Sequence, residues 1–570
     1  MEDRPASALA AGGALIPVWS RLKPDGGGAL LKDVIAGTIL SILLVPQAMA
    51  YAQLAGLPPE TGLFAALLPP IIYWLYGSSA FVSLGPVALV SLIVGEAAAN
   101  GVDPGVAVVI IAIEAGLLLV AIGALNLGRL VNFVSEPALL GFTAAAAVLI
   151  AFSQLPTLLG IDAERAGDLP SAAQALWAGL PETSWPTTII GVAALVALLF
   201  FNKFAAPALW KIGLHPPWRQ AVAKSLPLAV IVAAGIAAVQ FGGEVARVEP
   251  VSGGLPSLPW PLGSMQDWLQ LLPSAVAVAV IVFVTAIAVA KSLAGTDRSH
   301  LDSNREAVAL GLGNVAAALT GGYAIGASLS RSALVEESGG ASPMSSAVAS
   351  AIVLLTLLLL APILAYLPTT ALAALVISAV FGLIKLRDMR NVWNHDRLEG
   401  WIIAVCFVAT LAFGVRLGLA IGAGVSLAHF LWFSSVPRVT RIGTDDHGVS
   451  FRSIDREEVE LTLPVLAVRI DRSLYFGNAE FVEEEVFKLL GRHEQVECMV
   501  FDMRSVNGVD ASGVEMLKRL TQRLHERGVA THFAELHAPV KDSLCSLGAT
   551  ICRYHRTVRQ AVEDCGVKVE

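Results

Sequence analysis

Between about Leu31 and Phe433 the chain is a succession of long apolar runs with short polar punctuation, and from about Arg438 onward it turns charged. The runs are continuous rather than alternating, which predicts helices in lipid and not the strands of a membrane barrel. A crossing needs roughly 17–25 residues. On that basis about fourteen segments are expected, centred near Leu43, Pro70, Leu89, Ala115, Val148, Leu195, Val232, Val280, Gly313, Val335, Leu354, Val376, Val405 and Val425. The third and tenth are too short to cross alone. Such interruptions are tolerated only where they line a cavity enclosed by protein. The expected divisions are a leading segment over 1–30, a membrane domain over 31–435 and a soluble domain over 439–570.

The apolar pattern also repeats. "AMAYAQLAG" (Ala48–Gly56) is similar to "AIAVAKSLAG" (Ala286–Gly295), and each precedes a Gly-rich break with a Ser-containing turn. These breaks are "GSSAFVSLGPVALVSL" (Gly77–Leu92) and "GGYAIGASLSRSALV" (Gly321–Val335). About seven segments separate the copies, an odd number, so the halves face opposite ways. That is the inverted-repeat plan of secondary transporters, whose paired broken helices mark a substrate site near the bilayer midplane.

Composition agrees: 55% of the 570 residues are hydrophobic and only 15% are charged, against roughly 25% charged in soluble proteins. The net charge of −8 is dispersed and points to no nucleic-acid partner. Basic residues gather in alternate loops: Lys203, Lys211, Arg219 and Lys224; Lys291, Arg298 and Arg305; Lys385, Arg387, Arg390 and Arg397. The intervening loops carry Asp162, Glu164, Asp168, Glu244 and Glu249 instead. The positive-inside rule then places both termini in the cytoplasm, which fits an even number of crossings. The lead-in from Met1 to about Gly28 has no signal-peptide pattern. Cys406, Cys498, Cys545, Cys552 and Cys565 show neither CxxC spacing nor a metal pattern, as suits a reducing compartment.

Phe81–Leu84 is expected to be extended and to lead through Gly85, Pro86 and Val87 into a short helix, with Pro86 at its first position. Gly326–Leu329 leads similarly into a helix starting near Ser330. Two half-helices entering from opposite sides turn their free N–H groups toward one another, and the space between them suits an anion. Arg331 falls in the first turn of the second half-helix. There its charge opposes the helix dipole unless an anion occupies the gap; the alternative partners are Glu336 and Glu337. Ser328, Ser330 and Ser332 offer hydroxyls, or one of them simply caps the helix. Gln47 and Tyr51, four apart, share a helix face, and Pro46 is expected to break that helix. Glu114 is a further acid within an apolar segment. No Walker-type phosphate loop, metal or cofactor pattern occurs, and no covalent chemistry is implied.

The stretch "VPQAMAYAQLAGLPPETGLFAALLPPIIYWLYGSS" (Val45–Ser79) resembles the first signature of the SulP family of anion transporters, which includes sulfate permeases and the motor protein prestin. "SLGPVALVSLIVG" (Ser83–Gly95), "DSNREAVALGLGNVAAALTGGYAIGASLSRSALVEESGG" (Asp302–Gly340) and "LPTTALAALVISAV" (Leu367–Val380) continue the likeness in order. The tail, over Val465–Leu490 and Val496–His537, resembles a STAS domain, a small mixed sheet covered by helices. The resemblance implies two inverted repeats of seven segments arranged as core and gate domains. It also implies an inner-membrane protein, a homodimer, and an option for a cytoplasmic partner through the STAS domain. Gln47 and Tyr51 would close the third side of the anion site. Proton-coupled relatives carry a glutamate where Thr285 stands in "TAIAVAK" (Thr285–Lys291), so proton coupling there is not expected. Ser512 in "DASG" (Asp510–Gly513) matches a serine phosphorylated in anti-sigma-factor antagonists; the plainer reading is a helix cap. The function expected is transport of a small anion, sulfate first, then bicarbonate or a C4-dicarboxylate. The rivals are a nucleobase-type permease, whose sites use acids where this one has Arg331, and a STAS-based membrane regulator.

Overall fold

A computed structural model describes residues 27–98, 102–129, 135–163, 167–213, 218–250, 263–294, 301–444, 451–454, 464–493, 495–546 and 553–566. Arg298, Glu164, Cys552 and the lead-in before Gly27, all invoked above, lie outside them. The chain divides into two compact units, Met1–Ser426 and Leu427–Glu570.

The first unit is helical, and each of the expected segment centres falls inside a helix. Eight helices among the described residues are long and apolar enough to cross a membrane. The third and tenth segments are indeed short: Ala88–Ala98 has 11 residues and Leu329–Glu337 has 9. The helix Gly27–Ala55 runs unbroken through Pro46, contrary to expectation; one lost donor does not end a helix held by neighbours. The second segment is two short helices, Pro59–Phe64 and Leu68–Tyr76. Arg397–Ser435 turns at Gly414, where φ is 82° and ψ 174°. Gly418 abuts Thr410 and Gly422 abuts Cys406, so its two arms fold back on each other about that glycine.

Small residues set the packing. A Cβ on Gly311 would lie 2.5 Å from the Gly116 carbonyl oxygen, and one on Gly123 would lie 2.4 Å from that of Asn304. Helices Pro104–Ala124 and Ser303–Leu319 therefore touch backbone to backbone, as small residues allow in lipid. Elsewhere large apolar side chains stay exposed, as Ile189, Val192, Val196 and Phe200 do along Trp185–Lys211. Such a face suits acyl chains and not water.

After the two-residue strands β1 (Leu84–Gly85) and β2 (Gly326–Ala327) of the first unit, the described residues of the second unit hold six strands: β3 (Val439–Gly443), β4 (Arg452–Ser453), β5 (Val465–Ile470), β6 (Cys498–Asp502), β7 (Ala530–Ala534) and β8 (Arg553–His555), in the order β4-β3-β5-β6-β7-β8. Strands β5 to β8 are parallel, and β3 is antiparallel to both of its neighbours. Strand period separates two cores. Leu466, Val468, Met499, Phe501 and Phe533 pack with helices Ala479–Gly491 and Ala511–Glu526, while Val465, Ala467, Cys498, Val500 and Ala534 pack under Val558–Asp564. The unpatterned cysteines carry a correction: Cys498 and Cys565 are joined, 6.1 Å apart at Cα. Sequence spacing could not show this, because the sheet closes the gap of 67 residues between them.

Candidate functional site

The two chain breaks meet. Strand β1 (Leu84–Gly85) pairs antiparallel with β2 (Gly326–Ala327), Leu84 opposite Ala327 and Gly85 opposite Gly326. Each strand runs on into its half-helix, so the helices leave the ladder in opposite directions with their N-terminal ends adjoining it. Cross-bonds extend the pairing: the Ser328 N–H donates to the Ser83 carbonyl at 3.2 Å, and the Ser83 N–H to Ser332 Oγ at 2.9 Å. Ser91 and Tyr323 share a hydroxyl–hydroxyl bond of 2.9 Å, and the Ile325 N–H donates to Asn314 Oδ1 at 2.9 Å. These two interruptions are thereby tied to side chains and to each other, as a low-dielectric setting demands.

Arg331 is fully buried. Its Nη1 donates to the Pro86 carbonyl at 2.8 Å and reaches Gln47 Oε1 at 3.5 Å, while Nε and Nη2 have no partner among the described residues. Neither Glu336 nor Glu337 pairs with it. A Cβ on Gly85 would lie 3.3 Å from Nη2, so this glycine leaves the guanidinium its space. Tyr51 and Tyr323 lie in electrostatic range of the cation. The structure thus brings Gln47, Tyr51, Gly85, Pro86 and Arg331 together.

The expectation for Pro86 shifts, and those for the serines and Thr285 sharpen. Pro86 is not the first helical residue: the helix begins at Ala88, where the Val87 carbonyl accepts from the Ser91 N–H. What Pro86 contributes is its carbonyl, held toward Arg331. The second half-helix begins at Leu329, with Ser328 as its cap, accepting from the Arg331 N–H at 3.5 Å. Ser332 Oγ is bound to the facing break, which leaves Ser330 as the exposed hydroxyl, 3.2 Å from Ser328 Oγ. Thr285 donates into its own helix, to the Ile281 carbonyl at 2.6 Å.

Sequence reasoning passed over several supports. Glu306 is buried and accepts from Tyr73 Oη, from Ser78 N and Oγ and from Ser79 N, fixing the chain just before β1. Arg305 beside it donates to the Tyr76 and Gly77 carbonyls. Asp33 accepts from Ala341 N, Ser342 N and Ser345 Oγ, beyond the second half-helix. Glu114, which the sequence did single out, is buried, and one of its carboxylate oxygens has no partner among the described residues. In the second unit the helix cap is Asp510, accepting from the Gly513 N–H at 2.8 Å, and Ser512 is the exposed second residue of that helix.

Two half-helices back to back on a shared ladder, within inverted repeats and ahead of a mixed-sheet unit, define a carrier of the anion-transporter class. Residues 30–406 match the sulfate permease family and residues 456–564 the STAS domain. The chain belongs to the sulfate permease (SulP) family. It is 31% identical over 514 residues to the chloroplastic sulfate transporter 4.1 of Arabidopsis thaliana, covering 87% of this chain and 74% of that one. It is also 31% identical over 559 residues to the low affinity sulfate transporter 3 of Stylosanthes hamata, covering 93% and 85%. In fold it is similar to the murine solute carrier 26 family member A9 anion transporter in its inward-facing state, with TM-score 0.88 and 22% identity over 99% and 96% of the two chains. The transmembrane domain of a cyanobacterium bicarbonate transporter aligns with TM-score 0.59 and 19% identity, over 70% of this chain and 98% of that one. The protein is an anion transporter and not an enzyme.

Proposed function

We propose that the chain moves sulfate across the inner membrane by alternating access, binding it at the Arg331 guanidinium between the two half-helix ends. The observation that carries this reading is Arg331 itself: fully buried, with Nε and Nη2 unpartnered among the described residues. A buried cation without a counter-charge is unfavourable by several kcal/mol, and an oxyanion meets both the charge and the open donors. Gly85 gives it room, Gln47 and Tyr51 wall the site, and Ser330 offers an accessible hydroxyl. The names of the plant relatives support sulfate over other oxyanions. Loop charge supports cytoplasmic termini, and the family resemblance a homodimer. Because Thr285 is neutral and donates into its own helix, no proton is carried there. Ser512 is the candidate regulatory phosphosite on the same reading, since phosphate is tolerated near a helix start.

Uptake into proteoliposomes tests the whole proposal. Radiolabelled sulfate, bicarbonate and succinate are compared with and without a pH gradient, for the wild type and for Arg331→Ala. Sulfate uptake lost in the variant is the expected result. Bicarbonate or succinate carried in preference to sulfate would reassign the substrate, and unchanged anion affinity in Arg331→Ala would remove the site.

A further inference from the structure

The parallel strands of the second unit bring together five groups that the transport reading does not use. Strand β6 presents Cys498 to the face covered by helix Val558–Asp564, and Ala534, in the neighbouring strand β7, packs in that same core. His532 lies two residues before Ala534, and His555 is opposite Ala534 in β8, so both fall on the same face. The covering helix ends over them with Asp564, followed by Cys565. The side-chain donors of Cys498, His532 and Cys565 lie within 4.8 Å of one another, and so do those of His532, His555 and Asp564. His532 is common to both sets. Its Nδ1 is 3.0 Å from His555 Nε2, the two rings stack at 3°, and Asp564 Oδ2 is 3.8 Å from His532 Nδ1 and 3.9 Å from His555 Nε2.

We propose that the dithiol form of this cluster is a binding site for a divalent metal of the zinc class, held by Cys498, Cys565 and His532, with His555 or Asp564 as the fourth ligand. Two sulfurs, two imidazoles and a carboxylate are the ligand set that zinc favours. Bonds of about 2.3 Å to sulfur and about 2.0 Å to nitrogen place neighbouring ligand atoms roughly 3.3–3.8 Å apart around a tetrahedral ion. The donors of His532, His555 and Asp564, 3.0–3.9 Å apart, are near that scale, and the two sulfurs can reach it once the S–S bond is broken. A disulfide alone gives no role to two imidazoles and a carboxylate converging beside it, His532 being 3% exposed. The cation to be displaced is Arg553, whose Nη1 is 3.2 Å from Asp564 Oδ2 and whose side chain is 71% exposed and free to swing out.

The S–S bond joining Cys498 and Cys565 is the oxidised form of the same pair. A thiol or phosphine reductant supplies two electrons, breaking the S–S bond, and two protons complete the thiols. Metal entry then releases those two protons to solvent, leaving thiolate ligands.

The test uses the full-length protein in detergent, stripped of metal, treated with a phosphine and titrated with Co²⁺ under argon. The expected result is one Co²⁺ per chain, with thiolate-to-cobalt charge-transfer absorption and tetrahedral ligand-field bands, both displaced by Zn²⁺. Cys565→Ser and His532→Ala should abolish the charge-transfer band or weaken Co²⁺ binding at least tenfold. His555→Ala and Asp564→Asn identify the fourth ligand by which of them does the same. Cys565 is half-buried near the end of a helix, so its serine variant should keep the wild-type circular dichroism and gel-filtration profile. Reduced wild-type protein with no thiolate–cobalt absorption overturns the proposal. So does a band that survives in a folded Cys565→Ser protein, or a disulfide that persists through phosphine treatment.

Discussion

Replacing Gly85 with alanine probes the contact between the first chain break and the cation of the second. Gly85 has φ 155°, a conformation that residues with a side chain rarely adopt, and its Cβ would lie 3.3 Å from Arg331 Nη2 and 3.4 Å from Leu44 Cδ1. The guanidinium must then shift by a few tenths of an ångström, although Nη1 is tethered to the Pro86 carbonyl at 2.8 Å. Backbone strain of this kind is about 1–3 kcal/mol. At about 1.4 kcal/mol per tenfold, strain relieved wholly at the site weakens anion binding by about 5- to 150-fold. The assay is the KM for sulfate uptake, read beside the thermal unfolding midpoint of the purified protein. Gly424→Ala is the control, because among the described residues no atom lies within 4 Å of its Cβ position. A raised KM in Gly85→Ala alone is expected. An unchanged KM with a lowered midpoint would mean that the strain is relieved away from Arg331, refuting the role given to this glycine.

Gly311→Ala should destabilise the membrane unit by about 1–3 kcal/mol, the usual effect of overpacking, because its Cβ would lie 2.5 Å from the Gly116 carbonyl oxygen; an unaltered unfolding midpoint in detergent would contradict the close helix contact. Thr285→Val should leave the response of uptake to a pH gradient as it is in the wild type, and a changed response would show that this hydroxyl does more than bond the Ile281 carbonyl. In the second unit, burial by itself raises the Glu483 carboxyl, but hydrogen bonds and charge from Arg519 and Arg523 outweigh it and hold it below the usual carboxylate range. A carboxyl lowered in the folded state contributes stability that is complete above its unfolded pKa and is lost as pH falls through the folded one. Urea unfolding of this unit within the full chain should therefore lose stability on acidification below the ordinary carboxylate range, and Glu483→Gln should flatten that slope; parallel slopes would contradict it.

What the sequence made legible was whatever is local. Apolar runs locate helices because lipid demands length, and Gly-Pro or Gly-Ala-Ser punctuation exposes the breaks because few other residues tolerate them. Arg331 stood out because a cation among apolar residues is rare. The pairings across the breaks were hidden. Helices apolar on every side carry no periodicity that tells which face meets which neighbour, so the bonds of Tyr323 to Ser91 and of Glu306 to Tyr73 and Ser78 had no local signal. Proline chemistry misled twice in one way: Pro46 and Pro86 were read for the N–H they lack. In the structure the helix continues past the first, and the carbonyl of the second is what binds.

The inverted repeat gives Arg331 and Thr285 each a counterpart in the other half. With Gly85 aligned on Gly326, Arg331 corresponds to Val90 and Ser332 to Ser91; with Ala48 aligned on Ala286, Leu44 corresponds to Val282 and Gln47 to Thr285. Two pairs of contacts follow this correspondence. Gly85 is approached by Leu44 and Arg331, and Gly326 by their counterparts Val282 and Val90 and, nearer still, by Val87, which has no counterpart at Gly85. Beside the two paired glycines the halves thus place a guanidinium at one and an isopropyl group at the other. Gln47 has a cation within reach of its amide oxygen, whereas its counterpart Thr285 belongs to the half whose matching residue is Val90, and its hydroxyl turns back onto the Ile281 carbonyl. Backbone N–H groups at helix starts come from both repeats and need no particular side chain. The full side-chain charge comes from one half only, from Arg331, where the other half has Val90. The chemistry is carried by one half, and the other half supplies its geometry.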